Sequence, residues 1–431
     1  MEPSLRMRFL LQLGIVAASI AIIALAPKLT RPPRDISSSS VDWVEINSIL
    51  AWIVFGYANV VVVFRIVSFE AMRVVEWMAY VACVVMSGSA LVFGWADLGP
   101  VVLLGLVFSL RRFWRLNIRG PVVSPAELTS QAGKICIVTG GNSGIGIEVV
   151  RQLALKGALV IIGARDLAKA QLVVEDVKKT TGNGNIIIEP LDLESFASVR
   201  EFAARINSKF PMIHLLVLNG GIMLPRFQLT KDGHERMLQC NCLSPMLLTA
   251  LLSAKLRAAP LARVVCTSSC MSTMTAAKNS KAFKFFAKPS PNGFFIFENY
   301  GQSKLGLNLF VIELNRRMKQ NNDIVCTINA CHPGNMFTSI TRDLAWVFRH
   351  GQHLMRFSLL KTNVQGSASI RFLAMSPKVM KISGRFFEMC APVDWPSNVA
   401  EPELGAKFWN FAQELIGEDL DAAFGWKAKR E

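Results

Sequence analysis

The residues most suggestive of chemistry are Tyr300 and Lys304, which stand in the stretch YGQSK. In a helix, residues four positions apart share one face, so the Lys304 ammonium would lie beside the phenol. A phenol ordinarily has a pKa of about 10, and a neighbouring positive charge lowers it. Such a tyrosine could donate a proton to a carbonyl oxygen or take one from an alcohol. Because the same spacing is common on solvated helix faces, the pair gains meaning only from the elements around it.

A glycine-rich turn supplies the first of those elements. Ile135 to Val138 and Leu159 to Ile162 are predicted as buried strands, with an amphipathic helix between them. Gly140, Gly144 and Gly146 remove side chains where the backbone would approach a pyrophosphate, and the helix N-terminus adds amide donors. A three-glycine motif alone is weak evidence for a nucleotide site. Because a strand precedes it and a helix follows it, we predict a dinucleotide site here.

Four further buried strands follow, at intervals long enough for helices. They are predicted over Asn185 to Leu193, Ile213 to Gly221, Ala262 to Ser269 and Ile324 to Gly334. This alternation indicates an α/β fold with a doubly wound parallel sheet of Rossmann type, whose ligands bind at the carboxyl edge. With a glycine motif and a strand ending in two serines before it, the tyrosine and lysine pair is predicted to serve hydride transfer to or from a nicotinamide.

Several motifs together resemble the short-chain dehydrogenase/reductase family over residues 134 to about 415: TGGNSGIG, LDLESFASVREFA, LTKDGHE, YGQSK and HPGNMFTS. Within that family the chain is most similar to the retinol dehydrogenase and WW-domain-containing oxidoreductase branch. It departs from the branch in two ways. It has no WW domain, so recognition of proline-rich peptides is not carried over, and its multi-segment apolar N-terminal region is unusual there.

The resemblance implies a role for each catalytic candidate. Tyr300 would be the acid-base group, and Lys304 would both lower its pKa and hold the nicotinamide ribose. Ser269 matches the serine that hydrogen-bonds the substrate carbonyl, with its neighbour Ser268 as the alternative assignment. Asn241 matches the asparagine that links the lysine to a proton-relay water. A buried asparagine that satisfies backbone groups is the other interpretation of Asn241.

The same resemblance implies a cofactor along the carboxyl edge. Arg165 resembles the arginine that accepts the 2′-phosphate of NADP, so NADP(H) is the preferred cofactor and NAD(H) the second option. Asp166 is predicted to cap a helix, and Asp192 to bond the adenine. The full set of predicted cofactor-binding residues is Gly140, Asn142, Ser143, Gly144, Ile145, Gly146, Arg165, Asp192, Leu193, Asn219, Gly220, Gly221, Tyr300, Lys304, Pro333, Gly334 and Thr338.

Composition argues against several other classes of protein. The formal charge of +16 comes from scattered basic residues without zinc-finger spacing, which favours an anionic membrane surface or cofactor over nucleic acid. Five histidines without paired spacing argue against a metal site, and His332 is interpreted as structural. Nine cysteines without a CxxC motif indicate reduced thiols, and therefore a catalytic region that faces the cytosol.

Residues 1–120 are predicted to form a membrane region with three or four transmembrane helices, and residues 121–431 the catalytic domain. Apolar runs cover Phe9 to Ala26, Ile49 to Phe64 and Trp77 to Leu110, against the roughly 20 residues that one span needs. A signal peptide is the alternative for the first run, and soluble core helices for all three. Basic flanks place both ends in the cytosol. Lys427 and Lys429 match a dilysine retrieval signal, which indicates the endoplasmic reticulum.

The substrate is expected to be lipophilic: a retinoid, a steroid, or a fatty aldehyde or ketone. A phenylalanine-rich insertion before Tyr300 and the segment from Asp343 to Leu360 could form a lid at the membrane, or merely core and surface loop. A nucleotide-binding scaffold with little turnover is the alternative function, which the Ser269, Tyr300 and Lys304 set disfavours. A transporter would need more polar residues in its spans. The expected partners are the substrate and the membrane, and a homo-oligomer is left open.

Overall fold

An eight-stranded sheet runs through the computed structural model, which describes residues 123–272, 290–292, 294–334, 361–395, 399 and 402–426. The predicted apolar spans, Thr338, the segment from Asp343 to Leu360 and the C-terminal lysines lie outside these residues. In the part that is described, no helix is long and apolar enough to cross a bilayer.

All six predicted strands are present. The strands of the described sheet are β1 (Ile135–Thr139), β2 (Leu159–Ala164), β3 (Ile186–Pro190), β4 (Leu215–Leu218), β5 (Arg263–Thr267), β6 (Thr327–His332), β7 (Phe386–Glu388) and β8 (Ala391–Val393). Their order is β3-β2-β1-β4-β5-β6-β7-β8, and β1 to β7 are parallel. This is the doubly wound Rossmann order, so the predicted fold class is confirmed for the sheet. The order reverses between β1 and β4, where such sheets bind ligands.

Two short strands at one edge were not predicted. Strand β7 continues the parallel sheet, and β8 returns antiparallel to it, with Pro392 opposite Phe387. Met389 and Cys390 join them with φ angles of 49° and 64°. A two-residue hairpin requires such positive φ angles, and Asn-Gly usually supplies them. The Met-Cys pair therefore gives no turn signal in the sequence.

The helices cover both faces of the sheet. In the described residues they are α1 (Ile145–Leu155), α2 (Leu167–Thr181), α3 (Phe196–Lys209), α4 (Arg236–Leu238), a π-helical turn (Gln239–Leu243), α5 (Ser244–Leu251), α6 (Ser253–Ala258), α7 (Ile296–Gln320), α8 (Asn363–Gly366), α9 (Ala368–Met375), α10 (Pro402–Ile416) and α11 (Leu420–Ala423), with 3₁₀ turns over Pro125–Glu127 and Pro377–Val379. Asp166 caps α2 by accepting a hydrogen bond from the Lys169 amide, as predicted.

Alternating strand residues divide the interior into two apolar layers. Ile137 of β1 packs with α3, α5, α7 and α10 on one face, whereas Cys136 and Val138 pack with α1, α2 and α9 on the other. Both layers are buried, so the central strands read as continuous apolar runs rather than as alternating ones. This packing fixes the carboxyl ends of β1, β4, β5 and β6 as a rigid edge on which side chains are placed.

Candidate active site

The glycine turn after β1 brings three backbone segments into close contact. A Cβ on Gly146 would lie 2.3 Å from the Gly140 carbonyl oxygen, and a Cβ on Gly140 would lie 2.9 Å from the Gly220 Cα. Gly140 and Gly144 have φ angles of 64° and 56°, which favour glycine. Helix α1 starts at Ile145, so its free amides lie directly behind the turn. The turn therefore fits a phosphate group of a dinucleotide.

Thr139 and Asn219 clamp the ends of β1 and β4 together. The Thr139 hydroxyl oxygen accepts hydrogen bonds from the amides of Asn219 and Gly220 at 3.0 and 2.9 Å. The Asn219 side-chain amide donates to the Thr139 carbonyl oxygen at 3.1 Å. The Asn219 Oδ1 atom is buried and has no hydrogen-bond partner among the described residues. This orphaned acceptor beside the glycine turn also fits a bound nucleotide, and Thr139 was missed by the sequence analysis.

Ser269 and Tyr300 are brought together where β5 ends and α7 begins. Both side chains are about 8% exposed, and a side-chain hydrogen bond joins them. Burial raises the pKa of Tyr300 well above its ordinary value, nearby Cys270 adds to this, and the Ser269 hydrogen bond opposes it. The expected lowering of this pKa is therefore wrong for the described side chains. Burial disfavours the charged phenolate, and the Ser269 hydrogen bond offsets only part of this effect.

Lys304 lies in the same buried group but is turned toward the sheet. Its Nζ donates to the Thr267 carbonyl oxygen at 2.8 Å and lies 5.8 Å from the centre of the Tyr300 ring. Burial lowers the pKa of Lys304 to about 8, and nearby thiols such as Cys266 oppose this. Lys304 is therefore mostly an ammonium at neutral pH, with its charge close to the phenol.

The two serines at the end of β5 point in different directions. The Ser268 hydroxyl donates to the Lys304 carbonyl oxygen at 3.4 Å, and its amide donates to the Cys331 carbonyl oxygen. Ser268 is thus used by the packing of β5 against α7 and β6. Ser269 is the serine that faces Tyr300, which supports it over its neighbour as the site residue.

Asn241 occupies the π-helical turn Gln239–Leu243. Its Oδ1 accepts from the Ile222 amide at 2.8 Å, and its Nδ2 donates to the Ile222 carbonyl oxygen and to the Ser303 hydroxyl, both at 2.9 Å. These contacts are the backbone-satisfying alternative left open by the sequence. Asn241 is nevertheless close to Lys304. A Cβ placed on Gly221 would lie 3.0 Å from the Asn241 Oδ1 and 3.2 Å from the Lys304 Nζ, so both side chains border the same glycine.

Comparisons with known proteins agree with this geometry. A model of the family described as short chain dehydrogenase matches residues 134–282. Polyprenol dehydrogenase of Mus musculus is 32% identical over 320 residues, which cover 73% of this chain and 92% of that protein. Retinol dehydrogenase 11 of Homo sapiens is 32% identical over 329 residues, which cover 75% and 98%. The chain belongs to the short-chain dehydrogenase/reductase family.

The predicted branch is confirmed among the relatives of this dehydrogenase. WW domain-containing oxidoreductase of Gallus gallus is 35% identical over 292 residues, which cover 67% of this chain and 69% of that protein. Polyprenol dehydrogenase was not part of the sequence-based expectation. As a member of this family with oxidoreductase relatives, the protein is an oxidoreductase.

Elsewhere along the carboxyl edge of the sheet, charged residues of the dehydrogenase surround the turn after β2. The Arg165 Nη1 lies 2.7 Å from Glu194 Oε1 and 3.7 Å from Asp192 Oδ1. Arg236 Nη2 bonds the same Glu194 oxygen at 2.7 Å. Burial raises the pKa of Glu194, but hydrogen bonds from Arg236 and Arg165 lower it overall. Glu194 joins Arg165 to Arg236, and it was not predicted because these partners come from distant segments.

Three further predicted nucleotide-binding residues, Asn142, Ser143 and Leu193, follow strands β1 and β3. The Asn142 side-chain amide donates to the Asp166 carbonyl oxygen at 3.2 Å and ties the glycine turn to the β2 end. The Leu193 carbonyl oxygen accepts from the Ser244 hydroxyl. The Ser143 carbonyl oxygen accepts from the Gly146 amide at 3.1 Å. A cavity of ~210 Å³ opens beside Glu194. It is lined by Asp192, Glu194, Leu229, Thr230, Lys231 and Arg236.

His332 at the end of β6 and Gly334 after it both lie near Lys361. Gly334 has a φ of 91°, and a Cβ there would lie 2.6 Å from the Lys361 Nζ. His332 is buried, and its Nδ1 has no hydrogen-bond partner in the described structure. Burial, followed by the charge of Lys361, lowers the pKa of His332 to about 3. His332 is therefore neutral here. No cluster of metal-ligating side chains occurs within the described residues.

A buried hydrogen-bonded chain behind Ser269 was also missed. Asn308 Nδ2 donates to the Ser272 hydroxyl at 2.8 Å, and that hydroxyl donates to the Ser269 carbonyl oxygen at 2.5 Å. Asn308 follows Lys304 by four residues, so it extends the row of Tyr300 and Lys304 along one face of α7. The sequence contains that spacing, but nothing in it identifies Ser272 as the partner.

Proposed function

We propose that this dehydrogenase transfers hydride between NADP(H) and a lipophilic alcohol or carbonyl compound. The observation that carries the proposal is an apolar cluster that surrounds the buried side chain of Tyr300. Its buried members are Met223, Leu224, Met237 and Tyr300, and the side chains packed against them are Ile222, Met271, Phe294 and Ile296. A polar catalytic group in such surroundings suits a substrate whose reactive carbon is attached to an apolar chain.

The composition of the cluster supports a flexible, bulky substrate. Three of its members, Met223, Met237 and Met271, are methionines, which adapt to irregular apolar shapes. Phe294 makes an edge contact with Phe227, with ring centres 6.1 Å apart, so Phe227 adds apolar surface beside the cluster. The names of the relatives agree with this chemistry, since polyprenols and retinol are lipophilic alcohols. We include both alcohol classes with retinoid, steroid and fatty carbonyl compounds as candidate substrates.

The side chains around Tyr300 can perform the acid-base half of such a reaction. When bound, the nicotinamide supplies or accepts the hydride. In the reductive direction, Tyr300 would donate its proton to the carbonyl oxygen while the Ser269 hydroxyl hydrogen-bonds the same oxygen. The Lys304 ammonium would stabilise the phenolate that is left. The raised pKa of Tyr300 means that its phenol carries the proton to be donated at neutral pH, and the Lys304 ammonium would offset the cost that burial adds to its release.

The cofactor and location form part of the proposal. The glycine turn, the Thr139 and Asn219 clamp and Lys304 would hold the dinucleotide, and the position of Arg165 after β2 supports NADP(H) over NAD(H). The apolar N-terminal runs, the positive flanks and the basic C-terminus support an anchored enzyme of the endoplasmic reticulum with its catalytic domain in the cytosol.

The test is oxidation of NADPH and NADH by the full chain in detergent, with a panel of retinals, polyprenals, ketosteroids and long-chain aldehydes. We expect turnover with NADPH, and a loss of roughly 10²–10⁴-fold in kcat for Tyr300→Phe, the usual contribution of a positioned proton donor. The variant should bind NADPH as the parent does. Tight nucleotide binding with no turnover on any substrate would instead support the nucleotide-binding scaffold.

A further inference from the structure

We propose that Glu194 sets how strongly the enzyme prefers NADP(H) over NAD(H), by competing with the 2′-phosphate for the Arg165 guanidinium. The inference rests on the proposed cofactor site and goes beyond it. In this proposal, cofactor preference depends on the opposing charges of Arg165 and Glu194 rather than on Arg165 alone.

The geometry shows that Arg165 already has an anionic partner. Its Nη1 donates to Glu194 Oε1 at 2.7 Å, a distance typical of a charge-assisted hydrogen bond. Arg236 bonds the same oxygen from the other side, also at 2.7 Å. Asp192 Oδ1 lies 3.7 Å from Arg165 Nη1. Two arginines, one after β2 and one at the start of α4, therefore contact Glu194, and Asp192 lies near Arg165.

Exposure determines which partner can be exchanged. The Arg165 side chain is 53% exposed, whereas that of Glu194 is 17% exposed. Glu194 also accepts a hydrogen bond from Arg236, whereas Arg165 is the more exposed partner of the pair. A phosphate approaching Arg165 must accordingly share or displace the Glu194 contact. It would also lie near two fixed negative charges.

The two cofactors differ in their response to this arrangement. A phosphate monoester carries about −1.5 to −2 charges at neutral pH, so NADP(H) experiences both the attraction of Arg165 and the repulsion of Glu194. NAD(H) has no phosphate at this position and is nearly indifferent to both. Removing the Glu194 charge should therefore tighten NADP(H) binding selectively. A carboxamide of the same shape, in Glu194→Gln, keeps an oxygen for the two arginines.

The experiment is an equilibrium titration of NADPH and of NADH, followed by nucleotide fluorescence, with the full chain in detergent. For Glu194→Gln we expect about fivefold tighter NADPH binding, the scale of a partly exposed charge pair, and an NADH affinity within twofold of the parent. Glu418→Gln is the matched control, since Glu418 pairs with Arg200 at 3.0 Å outside the site. It should change neither affinity. The NADPH gain should shrink at high salt, because the interaction is screened.

A second variant makes the outcome decisive. In an Arg165→Ala background the Glu194→Gln gain should be reduced, since the competed partner is absent. Weaker NADPH binding by Glu194→Gln, or equal changes for both nucleotides, would overturn the inference and make Glu194 a support for Arg165. Absence of binding of either nucleotide to the parent protein would overturn the proposed function itself.

Discussion

The nucleotide end and the catalytic end of the proposed cleft are built by different means. At the nucleotide end, glycine backbone packs against glycine backbone and half-exposed charges such as Arg165 lie at the surface. At the catalytic end, Ser269, Tyr300 and Lys304 are each at most 8% exposed and are bonded to one another or to the β5 backbone. The first end can be tuned by surface charge, whereas the second depends on burial for its chemistry.

The largest expected change in nucleotide affinity comes from the glycine turn at the nucleotide end, and it alters no charge. Gly146→Ala would place its Cβ 2.3 Å from the backbone oxygen of Gly140, which no side-chain movement can relieve. We expect the glycine turn to be displaced, with NADPH affinity reduced by at least about tenfold, or more than 1.4 kcal/mol. The measurement is nucleotide titration together with thermal unfolding.

Gly184→Ala is the control for that variant. A Cβ on Gly184 meets nothing within 4 Å, and this glycine does not have a positive φ. It should leave both NADPH binding and the unfolding temperature close to those of the parent. Parent-like NADPH binding by Gly146→Ala would show that the turn does not hold the nucleotide.

An intermediate effect on kcat is expected from the hydrogen bonds that link Asn308 to Ser269 through Ser272. Asn308→Ala removes the donor to Ser272, whose hydroxyl fixes the Ser269 carbonyl oxygen. A small displacement of Ser269 should lower kcat by roughly tenfold, because reaction rates are sensitive to misplacements below 1 Å. NADPH affinity should not change. Steady-state kinetics and nucleotide titration on the same preparations measure the two quantities.

Asn329→Ala separates positioning from general stability. Asn329 is also a buried asparagine, whose side chain donates to the Ile382 carbonyl oxygen at 2.7 Å away from Ser269. It should lower the unfolding temperature as Asn308→Ala does while retaining the parent kcat. Equal kcat losses in the two variants would indicate that Asn308 acts only through stability.

The smallest expected effect is the pH dependence of the reaction rate. It tests whether the buried charge of Lys304 matters for catalysis. Lys304 has a pKa of about 8 because burial favours its neutral form. In the proposed mechanism, the Lys304 ammonium stabilises the Tyr300 phenolate below that pH, and the charge is lost above it. We expect kcat/KM for carbonyl reduction to be level from pH 6 to 7.5 and to decline by several-fold at pH 9.

Lys304→Arg is the comparison for this pH profile. A guanidinium remains charged throughout the range, so any residual activity of the variant should lack the decline above pH 8. A parent profile that stays level up to pH 9.5 would show that the Lys304 charge does not limit the reaction.

The sequence predicted the parts of the fold whose signals are local and continuous. Strands such as Leu159–Ala164 are runs of buried apolar residues, and they were located to within a few residues. The Asp166 cap was also recognised, because a cap depends on immediate neighbours. Strands Phe386–Glu388 and Ala391–Val393 were missed, since three residues carry no periodicity and Met389 and Cys390 are not typical turn residues.

In the candidate site, sequence reasoning found motif residues and missed their partners. Ser269, Tyr300 and Lys304 were located by spacing and resemblance, and the structure brings them together. Glu194 and Asn308 were missed, because their contacts join segments far apart in the chain. The direction of the Tyr300 pKa was also predicted wrongly, because a spacing of four residues reveals a nearby charge but not the depth of burial.

The two edge strands bear on how the protein avoids self-association through its sheet. In the described sheet, β3 ends with Pro190 at one edge and β8 carries Pro392 at the other. Proline has no amide hydrogen, so each edge lacks a donor that an incoming strand would need. Strand β8 is also only three residues long. Both margins are therefore poor templates for strand addition, which protects a sheet of highly apolar strands from aggregation while the chain folds.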